Sequence, residues 1–470
     1  MVGANAAGTG TVTRSDTVRR YAAASGFTGF EVLTVENAFY RCERLTPSTA
    51  DSHQTPSTAR PLSRQPRQVR SSSPAVADGT DKTTFAVVIA PTNCMPIGTL
   101  LTADRRPPRS RGARLAGVCR RGADLTEGDP VEFGMCVTTK LTDVDFARRC
   151  EDLGYDMVWV PDSQMIWGDC YAYMAMAAER TRRIRLGTGV AVAGTRIAPV
   201  IAHSIASVNT LAPDRVSLGI GSGNSAYRFM NLKPLPARKY AEEVRVIRAL
   251  LDGEEVEYTF RGVTAPIRLL MADRGYVDLE HRIPIIVSGF GPKSQSVAGQ
   301  LGDGLFVSLP VEERSIERAR QTVAHAAEEV GRSIDFGSYP VVNLVNVIML
   351  DPGEDILSDR VVAEHGPFIV SGMHYLFDQV RQYAREPPRR LLDVWDKYTA
   401  LIARVPEHVR HLRIHEGHCT YLLDEERALL TADLVRATSV VGTPEECREQ
   451  IRRLERAGVT HIVGLPTPGT

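Results

Sequence analysis

The sequence has few cysteines, few aromatic residues and no net charge. Its eight cysteines include no CxxC pair, which is typical of a reducing cytosol and argues against a disulfide scaffold. The 56 basic and 56 acidic residues balance, so charge gives no indication of a nucleic-acid or anionic-membrane partner. No apolar run approaches the roughly 20 residues of a membrane span, and the amino terminus lacks a signal-peptide pattern. We therefore expect a cytoplasmic protein that binds neither nucleic acid nor membrane.

The first 128 residues differ in composition from the rest of the chain. They hold 16 Arg and one Lys against ten acidic residues, together with Ser, Thr and Pro, as in "TPSTARPLSRQPRQVRSSSP". A nucleic-acid arm is disfavoured, because no aromatic residues alternate with the arginines. A second alternative is that translation starts after this segment, so that it is not normally made. The composition predicts a disordered low-complexity extension over 1–128 and a folded domain over 129–470.

Strand and helix patterns alternate from Val131 onward, with short links between them. Such alternation predicts parallel βαβ units. Eight strands are predicted, the number that closes a (β/α)8 barrel, and an open doubly wound sheet is the alternative. The pattern pauses at 253–281, where "EEVEYTFRG" predicts a β-hairpin. The stretch "YPVVNLVNVIML" predicts one long strand, and 354–437 is predicted to be helical and polar. The predicted strands are "VEFGMCV", "DMVWVPD", "IRLGTGVAVA", "RVSLGIG", "RIPIIVSGF", "DGLFVSL", "YPVVNLVNVIML" and "VTHIVGLP".

Glycine is concentrated where the predicted strands end, which is the edge that carries the active site in such barrels. The strand "SLGIG" continues into "SGNSAYRF", where Asn224 and Ser225 are expected to cap a helix. Its glycine spacing is not the G-x-G-x-x-G of a dinucleotide fold. The stretch "SGFGPKSQ" predicts an anion site, because Pro292 can open a helix whose free N–H groups attract phosphate, with Lys293 nearby.

Four histidines lie close together in "HVRHLRIHEGHCTY", beside Glu416 and Cys419. The order H-E-G-H is not the zincin motif H-E-x-x-H, although His411 and His415 are spaced so that one zinc ion could use both. A polar wall of a substrate pocket is the favoured interpretation, structural hydrogen bonding is the other, and no metal ligand is assigned. The histidines are His408, His411, His415 and His418.

Four stretches resemble the bacterial luciferase-like oxidoreductases, and above all their branch that uses the deazaflavin coenzyme F420, typified by methylenetetrahydromethanopterin reductase. They are "DMVWVPDS", "RIRLGTGVAVAGTRIAPVIAHSIASVNTLAPDRVSLGIGSGNSA", "IPIIVSGFGPKSQSVAGQLGDG" and "VVGTPEECREQIRRLERAGVTHIVGL". The resemblance covers 131–470 and leaves out the first 130 residues.

The resemblance implies an α/β fold, a (β/α)8 TIM barrel of the luciferase-like type with insertions. It implies coenzyme F420, or alternatively FMN, at the carboxyl ends of the strands. A non-proline cis peptide that backs the ring is expected at Gly189–Val190, and an acidic residue beside the ring at Asp162. The "SGFGPKS" turn is expected on the phosphate side. The residues expected to bind the coenzyme are Asp162, Gly189, Val190, Gly221, Ser222, Asn224, Ser288, Gly289, Phe290, Gly291 and Lys293.

Two departures from the family pattern bear on the reaction. Ser163 stands where the sugar-phosphate dehydrogenases of the family have histidine, although the aromatic residue Trp167 is kept. Asn224 stands where many members have Asp or Glu, and an amide cannot transfer a proton near neutral pH. The proton donor is therefore sought in "RIHEGHCT", because the ordinary pKa of histidine suits that role. The predicted catalytic residues are His415, Glu416, His418 and Trp167.

The predicted function is hydride transfer between coenzyme F420 and an unidentified small organic substrate. An FMN-dependent monooxygenase of the same fold is the alternative, and it would need a flavin reductase as a partner. A non-catalytic flavin-binding barrel is a lesser alternative. Whether the chain forms a homodimer is left open.

Overall fold

The computed structural model describes residues 27–33, 42–47, 85–87, 131–308, 311–384, 386–387 and 389–466. The chain divides into two units, Met1–Pro107 and Pro108–Thr470. In the first unit, three strands form an antiparallel sheet, and the disordered extension over 1–128 stays a prediction. The first strand has the aromatic and β-branched residues that favour strands. Other residues of that extension lie outside the described ones. The strands are Phe27–Leu33, Cys42–Pro47 and Phe85–Val87.

The second unit contains a closed barrel of eight parallel strands. Each strand pairs with the next one along the barrel, and β8 pairs with β1. The closure confirms the predicted (β/α)8 barrel over the open sheet. The strands are β1 (Glu132–Cys136), β2 (Met157–Val160), β3 (Arg185–Thr188), β4 (Val216–Gly221), β5 (Ile285–Ser288), β6 (Gly304–Val307), β7 (Val341–Leu344) and β8 (His461–Gly464).

The helices begin and end where the sequence signals predict. Gly154 ends α1 in the left-handed region at φ 86°. Thr443 and Glu446 form the predicted capping box of α9, and Pro444 is its first residue. The longer helices are α1 (Asp145–Leu153), α2 (Cys170–Arg180), α3 (Ala198–Asn209), α4 (Ala237–Leu251), α5 (Pro292–Leu301), α6 (Glu313–Glu328), α7 (Asp359–Tyr383), α8 (Leu392–Ala403) and α9 (Pro444–Arg456). Among the described residues, no helix is both long and apolar enough to cross a membrane.

Two layers of apolar side chains hold the barrel. The larger layer packs the strands against the helices around them. The smaller one fills the barrel interior, and in it Trp159 is 1 % exposed and meets the ring of Phe306 edge to face at 5.0 Å. The barrel is therefore a packed core, and a ligand has room only at its ends. The interior residues are Cys136, Met157, Trp159, Ile286, Phe306, Val342 and Val463.

The region between β7 and α9 differs from the prediction in two respects. The single long strand is divided, because the bonding to β8 ends with the N–H of Val345, which donates to Val463, and Asn346–Met349 pairs instead with Ser439–Gly442. The helical segment predicted as polar encloses a core of its own, which includes Ile369 and Tyr398. The sequence predicts the helices of this segment, but the hydrophobic core between them depends on contacts between helices that are distant in the sequence. The predicted hairpin is confirmed at Val256–Phe260 and Val263–Ile267.

Candidate active site

The carboxyl ends of β2 to β5 bring several predicted coenzyme residues together. A Cβ atom added at Gly221 would lie 3.0 Å from Cγ2 of Val190 and 3.5 Å from Cβ of Ser288. The backbone N–H of Asp162 donates to the carbonyl oxygen of Val190 at 3.4 Å. The peptide bond between Gly189 and Val190 is cis, which confirms the expectation drawn from the resemblance. Residues from four different strand ends thus share one edge of the barrel.

Some of the glycines at this edge serve the packing of Trp159. A Cβ at Gly187 or at Gly189 would lie 2.7 Å from Trp159 atoms. At Gly219 it would lie 2.1 Å from the carbonyl oxygen of Thr188. Real Cβ atoms do not come that close to a backbone oxygen, so Gly219 is required by the barrel itself. The glycine at 219 therefore has a packing role whether or not a ligand lies at this edge.

Asp162 is a buried carboxylate that already has a cationic partner. It is 5 % exposed, and Arg196 reaches its two oxygens through Nε at 3.1 Å and Nη2 at 3.4 Å. Arg196 also pairs with Asp169, the N-cap of α2, and lies over the ring of Tyr171. Burial alone would lower the pKa of Arg196, but the two carboxylates raise it, so the guanidinium stays charged. Sequence reasoning missed Arg196, although it lies within the quoted "VAGTRIAP".

A short turn, Gly289 to Gly291, leads from β5 into α5, and Pro292 opens the helix as the sequence predicts. Gly289 is fixed by packing, because a Cβ there would lie 2.8 Å from the backbone nitrogen of Gln295. Gly291 is the N-cap of α5, and no heavy atom lies within 4 Å of where its Cβ would be. Phe290 meets Tyr375 of α7 edge to face at 5.6 Å, and Lys293 is exposed. Pro292 has no N–H and the N–H of Ser294 donates to the carbonyl oxygen of Gly291, so the first-turn group that an anion could use is the N–H of Lys293.

The predicted capping role of Asn224 is wrong. Asn224 occupies the N-cap of the short helix Ser225–Arg228, but its side chain makes no cap hydrogen bond. Its Oδ1 instead accepts from Nε of Arg228 at 3.1 Å. The same Nε lies 3.1 Å from Oδ2 of Asp378 on α7. Asn224 is thus linked to α7 through Arg228. The carbonyl oxygen of Ser222 accepts from the backbone N–H of Leu235 at 3.0 Å.

His418 lies beside Trp167, and the ring of His415 lies 5.9 Å from that of His418. The ring of Phe229 meets His415 at 4.8 Å and His418 at 5.5 Å, edge to face in both cases. The ring of Trp167 lies 6.2 Å from that of His418, and its Nε1–H donates to Oγ1 of Thr420 at 3.3 Å. The loop after β2 and the histidine segment are therefore in contact, and Phe229 is a residue that sequence reasoning missed.

Glu416 does not join the two histidines. Its carboxylate pairs with Nη1 of Arg413 at 2.7 Å, and 49 % of its side chain is exposed. The third histidine beside His415 and His418 is His374 of α7, far away in the sequence. His374 and Asp378 are four residues apart on one helix, a spacing that places them on one face and that could have indicated the pair.

The two predicted proton donors are neutral imidazoles at pH 7. Burial lowers the pKa of His415, although the nearby Asp378 raises it in part. Burial, together with the rings of His415 and His374, lowers the pKa of His418 to about 3. The expectation of an ordinary histidine pKa is therefore wrong for both. Each can donate an N–H as a neutral ring, but neither stores a proton as imidazolium near neutral pH.

Comparison with known proteins agrees with this barrel and its strand ends. Residues 137–461 match the model of the luciferase-like monooxygenase family. The 5,10-methylenetetrahydromethanopterin reductase of Methanolobus tindarius is 27% identical over 352 residues, which are 73% of this chain and 92% of that protein. The F420-dependent glucose-6-phosphate dehydrogenase of Amycolatopsis mediterranei is 30% identical over 219 residues, 41% of this chain and 63% of that one.

Among solved structures, the coenzyme F420 dependent tetrahydromethanopterin reductase of Methanopyrus kandleri shares the fold. Its TM-score is 0.52 at 21% identity, covering 72% of this chain and 93% of that chain. The family match extends over most of the barrel unit, from just after β1 to the start of β8. The chain belongs to the luciferase-like monooxygenase family.

Proposed function

We propose that this chain transfers a hydride between coenzyme F420 and a small organic substrate. As a member of the luciferase-like family, it is an oxidoreductase whose coenzyme is F420 or a flavin. The observation that carries the choice of site is the convergence of Val190, Gly221 and Ser288 at the strand ends. F420 is preferred over FMN because a relative at 30% identity is named for its dependence on F420.

The residues at the strand ends fit a planar coenzyme with an anionic tail. Gly221 leaves the backbone bare between Val190 and Ser288, where any larger residue would fill the space. Gly291 and the first turn of α5, with Lys293, suit a phosphate group. When bound, the coenzyme supplies the hydride donor or acceptor, and the protein supplies orientation and fixed charges.

We place the proton transfer that accompanies the hydride at His415 or His418. The ring of His418 adjoins Trp167, and the carboxylate of Asp378 lies 3.6 Å from Nε2 of His415. Because both rings are neutral at pH 7, either would act by donating its N–H and accepting a proton on its other nitrogen. Glu416 is left out of this proposal, because its carboxylate is engaged by Arg413.

An FMN-dependent monooxygenase is the second candidate. The family model that matches this chain is named for monooxygenases, and a flavin ring has the same planar shape as the deazaflavin. This reaction would need a flavin reductase as a partner. A non-catalytic barrel is disfavoured, because the predicted coenzyme residues of four strand ends are gathered together.

Fluorescence titration of the full-length protein with F420 and with FMN, each alone, tests the proposal. We expect F420 to bind with micromolar or tighter affinity and FMN more weakly. Gly221→Ala should weaken F420 binding, because the added methyl group occupies the space between Val190 and Ser288. Gly372→Ala is the matched control, since its Cβ has no neighbour within 4 Å. Tighter binding of FMN would favour the monooxygenase, and binding of neither coenzyme would favour the non-catalytic barrel.

A further inference from the structure

Three histidine rings gather in the region between α7 and the loop that carries "HEGH". His374 comes from α7, and His415 and His418 follow the short helix Arg410–Ile414. One ring nitrogen from each lies within 4.8 Å of the other two. His374 is 2 % exposed and His415 is 6 % exposed, while His418 is partly exposed. Three imidazoles at this separation bring three potential metal ligands to one point.

Two of the three rings have a carboxylate beside one of their nitrogens. Nε2 of His374 lies 3.0 Å from Oε1 of Glu426, and Nε2 of His415 lies 3.6 Å from Oδ2 of Asp378. The Glu426 carboxylate holds the ring proton of His374 on Nε2, and the charge of Asp378 favours the same tautomer of His415, which leaves the lone pair of both rings on Nδ1. Among the described residues, Nδ1 of His374, His415 and His418 is buried and has no hydrogen-bond partner. Buried polar atoms are rarely left unpartnered, so these three nitrogens call for a ligand.

We propose that His374, His415 and His418 bind one divalent transition-metal ion through their Nδ1 atoms. Metal-bound histidines commonly donate the N–H of their other ring nitrogen to a carboxylate, as His374 can to Glu426, and Asp378 lies 3.6 Å from Nε2 of His415. Asp378 is itself held by Arg228 at 3.1 Å, so its position does not depend on the histidine.

The ligand set indicates the class of metal. Three neutral imidazoles without a carboxylate in direct contact suit Zn²⁺, Co²⁺, Ni²⁺ or Cu²⁺, whereas Mg²⁺ and Ca²⁺ require oxygen ligands. The ligand nitrogens of one tetrahedral zinc ion, each at about 2.0–2.1 Å from the metal, lie about 3.3 Å apart. The rings would therefore close inward on the ion by small side-chain movements. Three protein ligands leave a fourth position for water or substrate, as in catalytic zinc sites.

This inference goes beyond the proposed function, and it stands or falls independently of the coenzyme. If the ion is bound, its water ligand replaces the bare histidines as the proton source, because a divalent metal lowers the pKa of bound water toward neutrality. The metal site can be measured in the absence of F420 and FMN. Failure of metal binding would therefore leave the hydride-transfer proposal untouched.

The test uses full-length protein that has been stripped with a chelator and then titrated with Zn²⁺ or Co²⁺. We expect one ion per chain by elemental analysis, a rise in the thermal midpoint, and visible Co²⁺ bands of four-coordinate intensity. His374→Ala, His415→Ala and His418→Ala should each weaken binding by more than about 100-fold, since even loss of a supporting carboxylate costs ~10–100-fold. Glu426→Gln should weaken metal binding by about 10–100-fold. Because this change is mild, it still tests the site if the alanine variants fail to fold.

His365→Ala is the matched control, because His365 is also buried and lies on the same helix, nine residues before His374. It should retain one ion per chain with unchanged affinity. The sequence holds 11 histidines and eight cysteines, so binding elsewhere must be separated from this site. The proposal is overturned if the wild-type chain binds no ion saturably, or if the three ligand variants and His365→Ala bind equally well.

Discussion

The substitution Gly219→Ala should destabilise the barrel strongly although it adds a single methyl group. The new Cβ would lie 2.1 Å from the carbonyl oxygen of Thr188 and 3.0 Å from Cζ3 of Trp159. The Thr188 oxygen is backbone of β3, and the Thr188 hydroxyl donates to the Gly219 carbonyl oxygen at 2.6 Å. Neither strand can move away from the methyl group without disturbing its pairing.

The size of the effect follows from overpacking. Extra methyl groups in a packed interior cost about 1–3 kcal/mol, and a contact with backbone belongs at the upper end of that range. Alanine also gives the unfolded chain less conformational entropy than glycine does. This favours the folded state by about 0.4–1 kcal/mol and offsets only part of the overpacking cost. The net cost is about 2–2.6 kcal/mol, so at about 2–4 °C per kcal/mol the thermal midpoint should fall by roughly 4–10 °C.

Gly291→Ala provides the contrast. Its Cβ would meet nothing within 4 Å, and its φ of −137° is one that alanine adopts freely. The midpoint should stay within about a degree of wild type, while F420 affinity falls if the coenzyme phosphate lies against this turn. Thermal denaturation and F420 fluorescence titration of both variants measure the two effects. A Gly219→Ala protein that melts at the wild-type temperature would refute the packing argument.

Three further outcomes are expected. Glu151 accepts from the backbone N–H groups of Arg182, Arg183 and Ile184. Burial alone would raise the pKa of Glu151, but these hydrogen bonds lower it from 4.5. Glu151→Gln should therefore lower the free energy of unfolding by about 1–3 kcal/mol above pH 4.5. That cost should shrink as the pH falls below 4.5, because the wild-type carboxylate then takes up a proton, and urea titrations across pH 3–7 would contradict this if the gap were constant. Burial raises the pKa of Cys136, Cys150 and Cys447 to about 12, so mass spectrometry should find them unalkylated in native protein at pH 8 and fully alkylated in denaturant. A chain that begins at Asp129 should melt at the full-length temperature, and a large loss would show that the first 128 residues support the barrel.

The barrel could be predicted because its information is local. Each βα unit carries its own strand pattern, helix period and cap, as Gly154 and Thr443 illustrate, and eight such units imply closure. Prediction failed where an element changes partners. The stretch after Leu344 keeps a strand pattern, and only the pairing with Ser439–Gly442 shows that it has left the barrel.

The candidate site likewise has one part that local sequence patterns predict and one part that they do not. The strand-end residues Asp162, Val190, Gly221 and Ser288 each follow a strand, so the topology of a parallel barrel places them together without further information. No comparable rule of topology brings the three histidines together. His374 and Glu426 are 52 residues apart, and they meet only because α7 and the segments after it form their own core. Arg196 and Arg228 were missed for a similar reason, since each acts through a carboxylate contributed by another element.

This division indicates where substrate choice should reside. The strand ends present bare backbone and a charge-compensated Asp162, features that suit a coenzyme and carry little information about a substrate. The groups that differ in chemistry come from α7 and the loop after it. Tyr375 packs on Phe290 at the end of β5, and Asp378 pairs with Arg228 just after β4. Because α7 thus touches two strand ends while belonging to a separate core, its side chains can change without disturbing the barrel. Substitutions on that face of α7 should alter substrate binding and leave coenzyme affinity largely intact, which kinetics at saturating coenzyme would distinguish from a general loss of fold.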